Sequence, residues 1–421
     1  MKLKSKITLD KLIGTPVIFT LNLLFRFFLL MKQEREPDNS TIKRIVICKF
    51  LGMGSIIQST PLLMTLKNSY PGVEIIFISA QRNHSLLECF PFIDGILTVN
   101  DDSVSQLISS SLNCLIRILM LRADIFIDLE IHSYFSTLFT VLGFPKYKIG
   151  FYRKESSVQL GLYSKMLYFN TKAPAHEIYL QASRLLKCGN SITGLYDFGS
   201  SGNNGSMHLL REIGIITGGA ADYIVINPNA SDLRVERRWP LQNFTGLINA
   251  ILNEFPDKLI ILTGSAGEFS YVESLRHGLD GENPARVVNT AGRLTIKDLA
   301  ALIRNSILMI TNDSGPMHLA FALKKTTIAL FGPCSPLEYS SQPNVFYLYK
   351  NVYCSPCVHH FSISPCKGDN QCMKLIGVDE VLQKVRSILI GSIQNSPPET
   401  GKGILFDSSD SGYPFGIVDR K

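Results

Sequence analysis

One stretch constrains the fold more than any other. An apolar run, Ile307 to Ile310, stops at Asn312, Asp313, Ser314 and Gly315, and a new element starts at Pro316 with Met317, Leu319, Ala320 and Leu323 on one helical face. The run has the length and character of a buried strand. Proline suits a first helical position because its missing N–H is not needed there. The stretch is therefore strand, tight turn, helix. In an open α/β sheet such a turn lies at the carboxyl ends of the strands, where ligands bind. The amides of a first helical turn suit a phosphate, and Gly315 admits close backbone approach. Asp313, Ser314 and His318 flank that point. The plainer alternative is that Asp313 and Ser314 only cap the helix and His318 is a core histidine.

The pattern recurs. Ile45 to Cys48 runs into Gly52, Gly54 and Ser55 and then a helix through Ile57, Leu62, Leu63 and Leu66; further apolar runs follow at 73–78 and 95–99. Downstream, Tyr223 to Ile226 meets Asn227-Pro228, and Leu259 to Leu262 meets Gly264. Strands alternating with helices predict parallel, doubly wound α/β domains. A chain of 421 residues exceeds one ordinary core, so two domains are expected. The boundaries read as an N-terminal segment and linker over 1–40, a first domain over 41–205, a second over 206–392 and a disordered tail over 393–421. A hydrophobic content of 45% with 18% charged residues makes the body globular. The net charge of +7 suits anionic small molecules or lipid but lacks the dense basic patch of a nucleic-acid binder.

Lys2, Lys4, Lys6 and Lys11 precede a strongly apolar stretch, Leu12 to Met31, interrupted by Arg26. The interruption disfavours a membrane span, and no small-residue cleavage site follows. An interfacial helix with lysines toward anionic headgroups is expected, at the cytoplasmic face of the inner membrane. The alternatives are a helix packed on the protein's own body and a single-span anchor.

Asp124 to His132 reads as another strand, whose alternation places Asp128, Glu130 and His132 on one face. Strand-end carboxylates beside a histidine form an acid/base pair or position neighbouring loops. Arg234, Arg237 and Arg238 precede Trp239-Pro240; arginine forks bind diphosphate oxygens in pairs. Cys48, Cys89, Cys114, Cys188 and Cys334 lie among apolar segments as free thiols would, which favours a reducing compartment. Cys354 and Cys357 have zinc-knuckle spacing, with Cys366 and Cys372 beyond and His359 and His360 between. A structural zinc, two disulfides and four free thiols all fit that spacing. Val378 to Leu389 reads as a last amphipathic helix, one that could cross back to the first domain.

The run from Asp313 to Ala320, followed by Phe331-Gly332-Pro333 and Pro336, resembles glycosyltransferase family 9, the ADP-heptose:lipopolysaccharide heptosyltransferases. The resemblance extends from about Lys43 to about Met373. It implies the GT-B arrangement, two Rossmann-like domains facing a cleft. It also implies metal-independent, inverting transfer of a sugar, heptose by family default, from a nucleotide diphosphate such as ADP-heptose to a lipopolysaccharide core or other membrane-bound glycan. No further cofactor is implied. For the donor it assigns Asn227, Arg237 in place of the family's phosphate-binding lysine, its neighbour Arg238, Glu268 near the nucleoside and Leu294 near the base. Asp313, Ser314, Gly315 and His318 take the diphosphate and sugar end. On the acceptor side stand Gly52, Gly54, Lys146 and Arg153. The family's first turn usually reads Met-Gly-Asp, the aspartate being the base; here it reads Met53-Gly54-Ser55. A serine does not serve as an unassisted general base. Glu130, then Asp128, are the expected substitutes, with Ser55 left at the catalytic position. A sugar-nucleotide 2-epimerase, a non-catalytic nucleotide-sugar binder and a structural membrane-associated module are the competing readings.

Overall fold

Each apolar run becomes a parallel strand. In the computed structural model, β1 (Arg44–Cys48), β2 (Glu74–Ala80), β3 (Gly95–Val99), β4 (Ile125–Asp128), β5 (Tyr147–Tyr152) and β6 (Lys165–Tyr168) form one sheet in the order β3-β2-β1-β4-β5-β6. β7 (Tyr223–Asn227), β8 (Leu259–Leu262), β9 (Val287–Asn289), β10 (Leu308–Asn312), β11 (Thr327–Phe331) and β12 (Val345–Tyr349) form a second, in the order β12-β11-β10-β7-β8-β9. Read from its first strand outward, the second sheet repeats the topology of the first, the doubly wound Rossmann order. Residues 10, 12, 14–24, 37, 41–131, 133–152, 158–170, 172–198, 222–230, 232–281, 283–339, 342, 344–358, 364 and 366–391 are described. Arg153, His132, His359, His360 and the 393–421 tail lie outside them.

The chain divides into two compact units, the first ending at Tyr196 and the second starting at Asp197. In each, the switch in strand order falls between two neighbours that pair in parallel: β1 with β4, where Cys48 faces Asp128, and β7 with β10, where Asn227 faces Thr311. The expected strand over 124–132 is shorter than its sequence suggests. β4 stops at Asp128, so Glu130 lies beyond it and no common face with Asp128 forms.

In the first unit, α2 (Met53–Gln58) and α3 (Thr60–Ser69) follow β1, and α7 (Ala175–Leu185) packs against α3. Between β3 and β4 runs α5 (Val104–Leu121), after the short α4 (His84–Leu87). Cys114 and Ile118 of α5 bury themselves against Val46, Cys48 and Phe126 of the sheet and Phe139 of α6 (Tyr134–Leu142). The N-terminal helix α1 (Gly14–Leu24) docks on α6 as well. Ile18 packs with Val141, Leu162 and Tyr163. The Asp10 carboxylate accepts the amides of Tyr134 (3.0 Å) and Phe135 (2.8 Å), two of the donors a helix start leaves unpaired. A side chain at Gly14 would meet Tyr134 Cβ at 2.5 Å, so only glycine allows this approach. One face of α1 is thus part of the protein body, while Phe19 and Leu23 on the other are 63% and 65% exposed.

In the second unit, α8 (Leu241–Glu254), α9 (Phe269–His277), α10 (Ile296–Asn305), α11 (Gly315–Ala322), the short α12 (Gln371–Lys374) and α13 (Val378–Gly391) complete the layers. Val381, Leu382, Val385 and Leu389 of α13 share a core with Phe244, Leu247 and Ile251 of α8. The last helix therefore belongs to the second unit's own core and does not serve as the crossing-back element.

Candidate active site

In the second unit, asparagine side chains lock the ends of three strands. Asn227 Nδ2 donates to Ser314 Oγ (2.8 Å) and to Thr311 Oγ1 (3.2 Å). Asn312 Nδ2 donates to the Pro228 carbonyl at 2.8 Å, and its Oδ1 accepts the Trp239 amide at 3.1 Å. Asn229 Nδ2 donates to the Thr263 carbonyl at 2.8 Å. All three asparagines are buried, so each bond satisfies a group that water cannot reach.

This lattice brings Arg237 to Asp313. Trp239 is fully buried, its Nε1 donating to the Ile376 carbonyl (2.9 Å) and its ring edge-on to Phe244. Its amide is tied to Asn312, the residue before Asp313. Arg237, two residues before Trp239, thereby places its Nε 3.4 Å from Asp313 Oδ2. Neither Arg237 Nε nor either Asp313 oxygen has a hydrogen-bond partner. The pair is a Coulombic contact with unused donors and acceptors. Burial works against the Arg237 charge, but Asp313 outweighs it and holds the guanidinium above its ordinary pKa.

Ser314 is the N-cap of α11 in extended conformation, yet its side chain makes no capping bond; its hydroxyl is engaged with Asn227 and Thr311. The start of α11 is thus left without a side-chain cap. Gly315 and Met317 supply amides there while Pro316 has none. Beside it His318 is buried, its ring 4.6 Å from Tyr339 and edge-on. Burial pushes the His318 imidazole down to about 4, Asp313 resisting and Arg237 assisting, so it is neutral near pH 7.

Arg238 lies over the Tyr271 ring, 4.8 Å from its centroid, and donates to the Ala230 carbonyl at 2.9 Å. Glu268 closes a capping box, its Oε2 accepting the Ser265 amide and hydroxyl at 2.8 Å each, while Oε1 stands 3.8 Å from Arg238. Leu294 is half-buried in the turn before α10. Asn227, Arg237, Asp313, Ser314, Gly315 and His318 therefore gather at one place, and Arg238, next to Arg237 in the chain, pairs with Glu268. Asn229, Asn312 and Tyr339 are functional neighbours that motif reading missed. A signal existed for Asn312, a polar residue ending an otherwise apolar strand.

In the first unit, the equivalent strand ends carry a buried charge cluster. Glu130 Oε1 accepts the amides of Phe50 and Leu51, both at 2.8 Å, and Oε2 accepts Lys49 Nζ at 3.0 Å. Both side chains of the Lys49–Glu130 pair are 7% exposed. Burial alone would depress the Lys49 ammonium; Glu130, helped by Tyr179 and Asp128, more than reverses this and raises it. Asp128 Oδ2 accepts from Tyr163 (2.6 Å) and Ser136 (2.8 Å), and Oδ1 accepts the Glu130 amide at 3.0 Å. Burial raises the Asp128 carboxyl to about 7, against those hydrogen bonds.

The two carboxylates thus do loop-positioning work, one of the two roles that the sequence left open to them. Glu130 holds the backbone just before Gly52, and its lone pairs are committed to Lys49 and two amides. Gly52 takes φ of 86°, open to glycine, and starts α2; Gly54 is buried inside that helix. Ser55 is half-buried, and its hydroxyl bonds to the buried phenol of Tyr179, which burial raises.

Lys146 does not belong to this group. It precedes β5, at the amino-terminal edge of the sheet, where its Nζ pairs with Asp124 Oδ1 at 2.7 Å. Strand polarity puts that edge opposite the turns that carry Gly52 and Asp128. Arg153 lies outside the described residues. None of the nine cysteines is in a disulfide, and among the described residues no group of three or more potential ligands is placed to hold a metal ion. Burial raises Cys372 to about 11, with Cys357, Cys354 and Cys366 adding to the effect, so the thiol form prevails. Of the three arrangements compatible with the spacing, the paired disulfides are not formed, and Cys354, Cys357, Cys366 and Cys372 lie close enough to act on one another.

Two parallel doubly wound units, each with its polar residues at the switch in strand order, define a two-unit Rossmann-type α/β protein. The profile of glycosyltransferase family 9 (heptosyltransferase) matches residues 116–367, and the chain belongs to that family. It is 35% identical over 100 residues to lipooligosaccharide heptosyltransferase 2 of Haemophilus influenzae, covering 24% of this chain and 28% of that protein. Lipopolysaccharide heptosyltransferase 3 of Escherichia coli is 26% identical over 288 residues, 66% of this chain and 79% of that protein. The solved ADP-heptose lipopolysaccharide heptosyltransferase II of E. coli superposes with a TM-score of 0.66 at 19% identity, covering 84% of this chain and 100% of that one. The chain thus spans well under a third of the H. influenzae relative, although the fold likeness covers the whole of the solved E. coli chain.

Proposed function

We propose that this protein transfers a heptose from ADP-heptose to a lipopolysaccharide or lipooligosaccharide core, or another membrane-bound glycan, with inversion. The observation that carries this reading is the donor-type cluster of the second unit. Arg237 has an unused donor, Arg238 lies next to it, and α11 begins without a side-chain cap. An arriving diphosphate would take the Arg237 donor and the amides at the start of α11. Positive charge at that point stabilises the leaving diphosphate as the bond to the anomeric carbon breaks. Two arginines and a helix terminus can supply this without a metal. The Gly52–Ser55 turn of the first unit is the acceptor-side element, at the cytoplasmic face of the inner membrane.

The test is calorimetric titration with ADP, UDP, GDP and CDP without added metal, followed by transfer from ADP-heptose. A preference for ADP, lost in Arg237→Ala, is expected. Binding to none of the four overturns the donor-site reading. A second reading, a nucleotide-sugar binder without transferase activity, is favoured by Ser55. Its hydroxyl is bonded to Tyr179, and Asp128 and Glu130 are engaged elsewhere. ADP binding without sugar transfer, restored by Ser55→Asp, would establish that second reading.

A further inference from the structure

The helix α5 has a face that nothing in the first unit covers. Val104, Ile108, Leu112, Ile116 and Met120 follow at four-residue spacing and are 52%, 56%, 57%, 56% and 77% exposed. Residues four apart are neighbours on a helix, each step turning by about 40°, so the row winds along the exposed half of α5. At 1.5 Å per residue the stripe is about 24 Å long. Leu119, also exposed, widens it. Single exposed apolar residues are ordinary on a soluble surface; a continuous row of this length marks an interaction site.

We infer that α5, together with the outer face of α1, docks the first unit on an anionic lipid bilayer. Three observations commit the face to lipid. First, a second apolar face lies on the same unit: α1 packs on α6 as α5 does, and it exposes Val17, Phe19, Leu23 and Leu24 away from that contact. Second, the charge is complementary. No acidic residue occurs from Val104 to Leu121, Arg117 and Arg122 are exposed at its carboxyl end, and Lys2, Lys4, Lys6 and Lys11 precede α1 in sequence. Apolar side chains flanked by basic ones are the composition of helices that lie in the headgroup region. Third, α5 is long and apolar enough to cross a membrane, yet it cannot do so here. β3 and β4, which it joins, are strands of the same sheet, and its other side is buried on that sheet. The helix therefore lies along a bilayer with its inner face still packed. The inference goes beyond the transfer reaction and does not depend on which sugar is moved.

The experiment is co-sedimentation of the full chain with phosphatidylcholine vesicles, with and without phosphatidylglycerol. The variants combine Ile108→Gln, Leu112→Gln and Ile116→Gln, which keep the helix and add no charge. The wild type is expected to partition onto the anionic vesicles about tenfold better than onto neutral ones, less so at high salt, and the triple variant to lose about tenfold. Melting temperature and ADP titration of the variant should be unchanged, which separates lost docking from lost folding and from any failure of the donor-site reading. A tryptophan at Leu112 gives a second readout, a blue shift on adding anionic vesicles above the constant signal of buried Trp239. Wild-type protein that ignores vesicles, or a triple variant that binds them fully, overturns the inference. So does a wild-type dimer that the triple variant converts to monomer with vesicle binding intact, which would assign the face to a second copy of the chain.

Discussion

Asn312 shows how one amide side chain can fix the geometry of a whole cluster. It joins the Trp239 amide to the Pro228 carbonyl and so fixes where Arg237 emerges. Asn312→Leu keeps the number of side-chain heavy atoms and strands one buried N–H and one buried C=O. The second unit should lose roughly 2–4 kcal/mol, and ADP affinity should fall because Arg237 is no longer held at Asp313. Thermal melting and calorimetry check the two effects together. Glu130 allows a sharper distinction. Glu130→Gln removes the charge but hardly the shape, leaving Lys49 buried without its partner. If Glu130 positions the first turn, the first unit should lose roughly 3–5 kcal/mol in denaturant unfolding, and Lys49→Met in the same chain should recover much of it. A catalytic base would instead show normal stability with lost turnover.

At the scale of elements, α2 depends on Gly52. Gly52→Ala would force φ of 86° on a residue with a Cβ, and that Cβ would stand 3.2 Å from Ser55 Oγ. The expected cost is about 1 kcal/mol or somewhat more, with a larger fall in transfer rate than in ADP binding, because the strain falls on the turn proposed above for the acceptor. Parallel steady-state and calorimetric measurements would separate the two. The strands themselves were readable from sequence, since buried parallel strands appear as short continuous apolar runs between turn residues, as Ile307 to Ile310 does. The cluster from Asp313 to His318 was readable for the same reason. What sequence could not show was pairing at a distance. Glu130 reaches back eighty positions to Phe50, and no local periodicity records that. Lys146 looked like an acceptor residue because its segment matched a motif, but strand polarity decides which edge of the sheet a residue occupies. The asparagine lattice was hidden because Asn227, Asn229 and Asn312 acquire roles only when β7, β8 and β10 lie side by side.

For the whole molecule, the two units should respond to pH in opposite directions. Asp128, in the first, has its folded pKa raised by burial to about 7 from an ordinary 3.8. Between those values the folded unit keeps a proton that the unfolded chain has released. Stability therefore falls as pH rises from about 4 to about 7, by at most ~1.4 kcal/mol per pH unit. Asp10, also raised by burial, acts in the same sense. His176, which burial lowers, opposes both over the part of the window below its ordinary 6.5. In the second unit His318 is pushed down from 6.5 to about 4. Here the unfolded chain takes up a proton that the folded unit refuses, so stability is full above 6.5 and is lost as pH falls toward 4. Scanning calorimetry between pH 4.5 and 7 should resolve two transitions that move toward or past each other. Each should shift by several degrees, at roughly 2–4 °C per kcal/mol for units of this size. Asp128→Asn should flatten only the first unit's dependence and His318→Gln only the second's. One cooperative transition carrying both slopes would instead mean that the units unfold together, and each substitution would then tilt the whole profile.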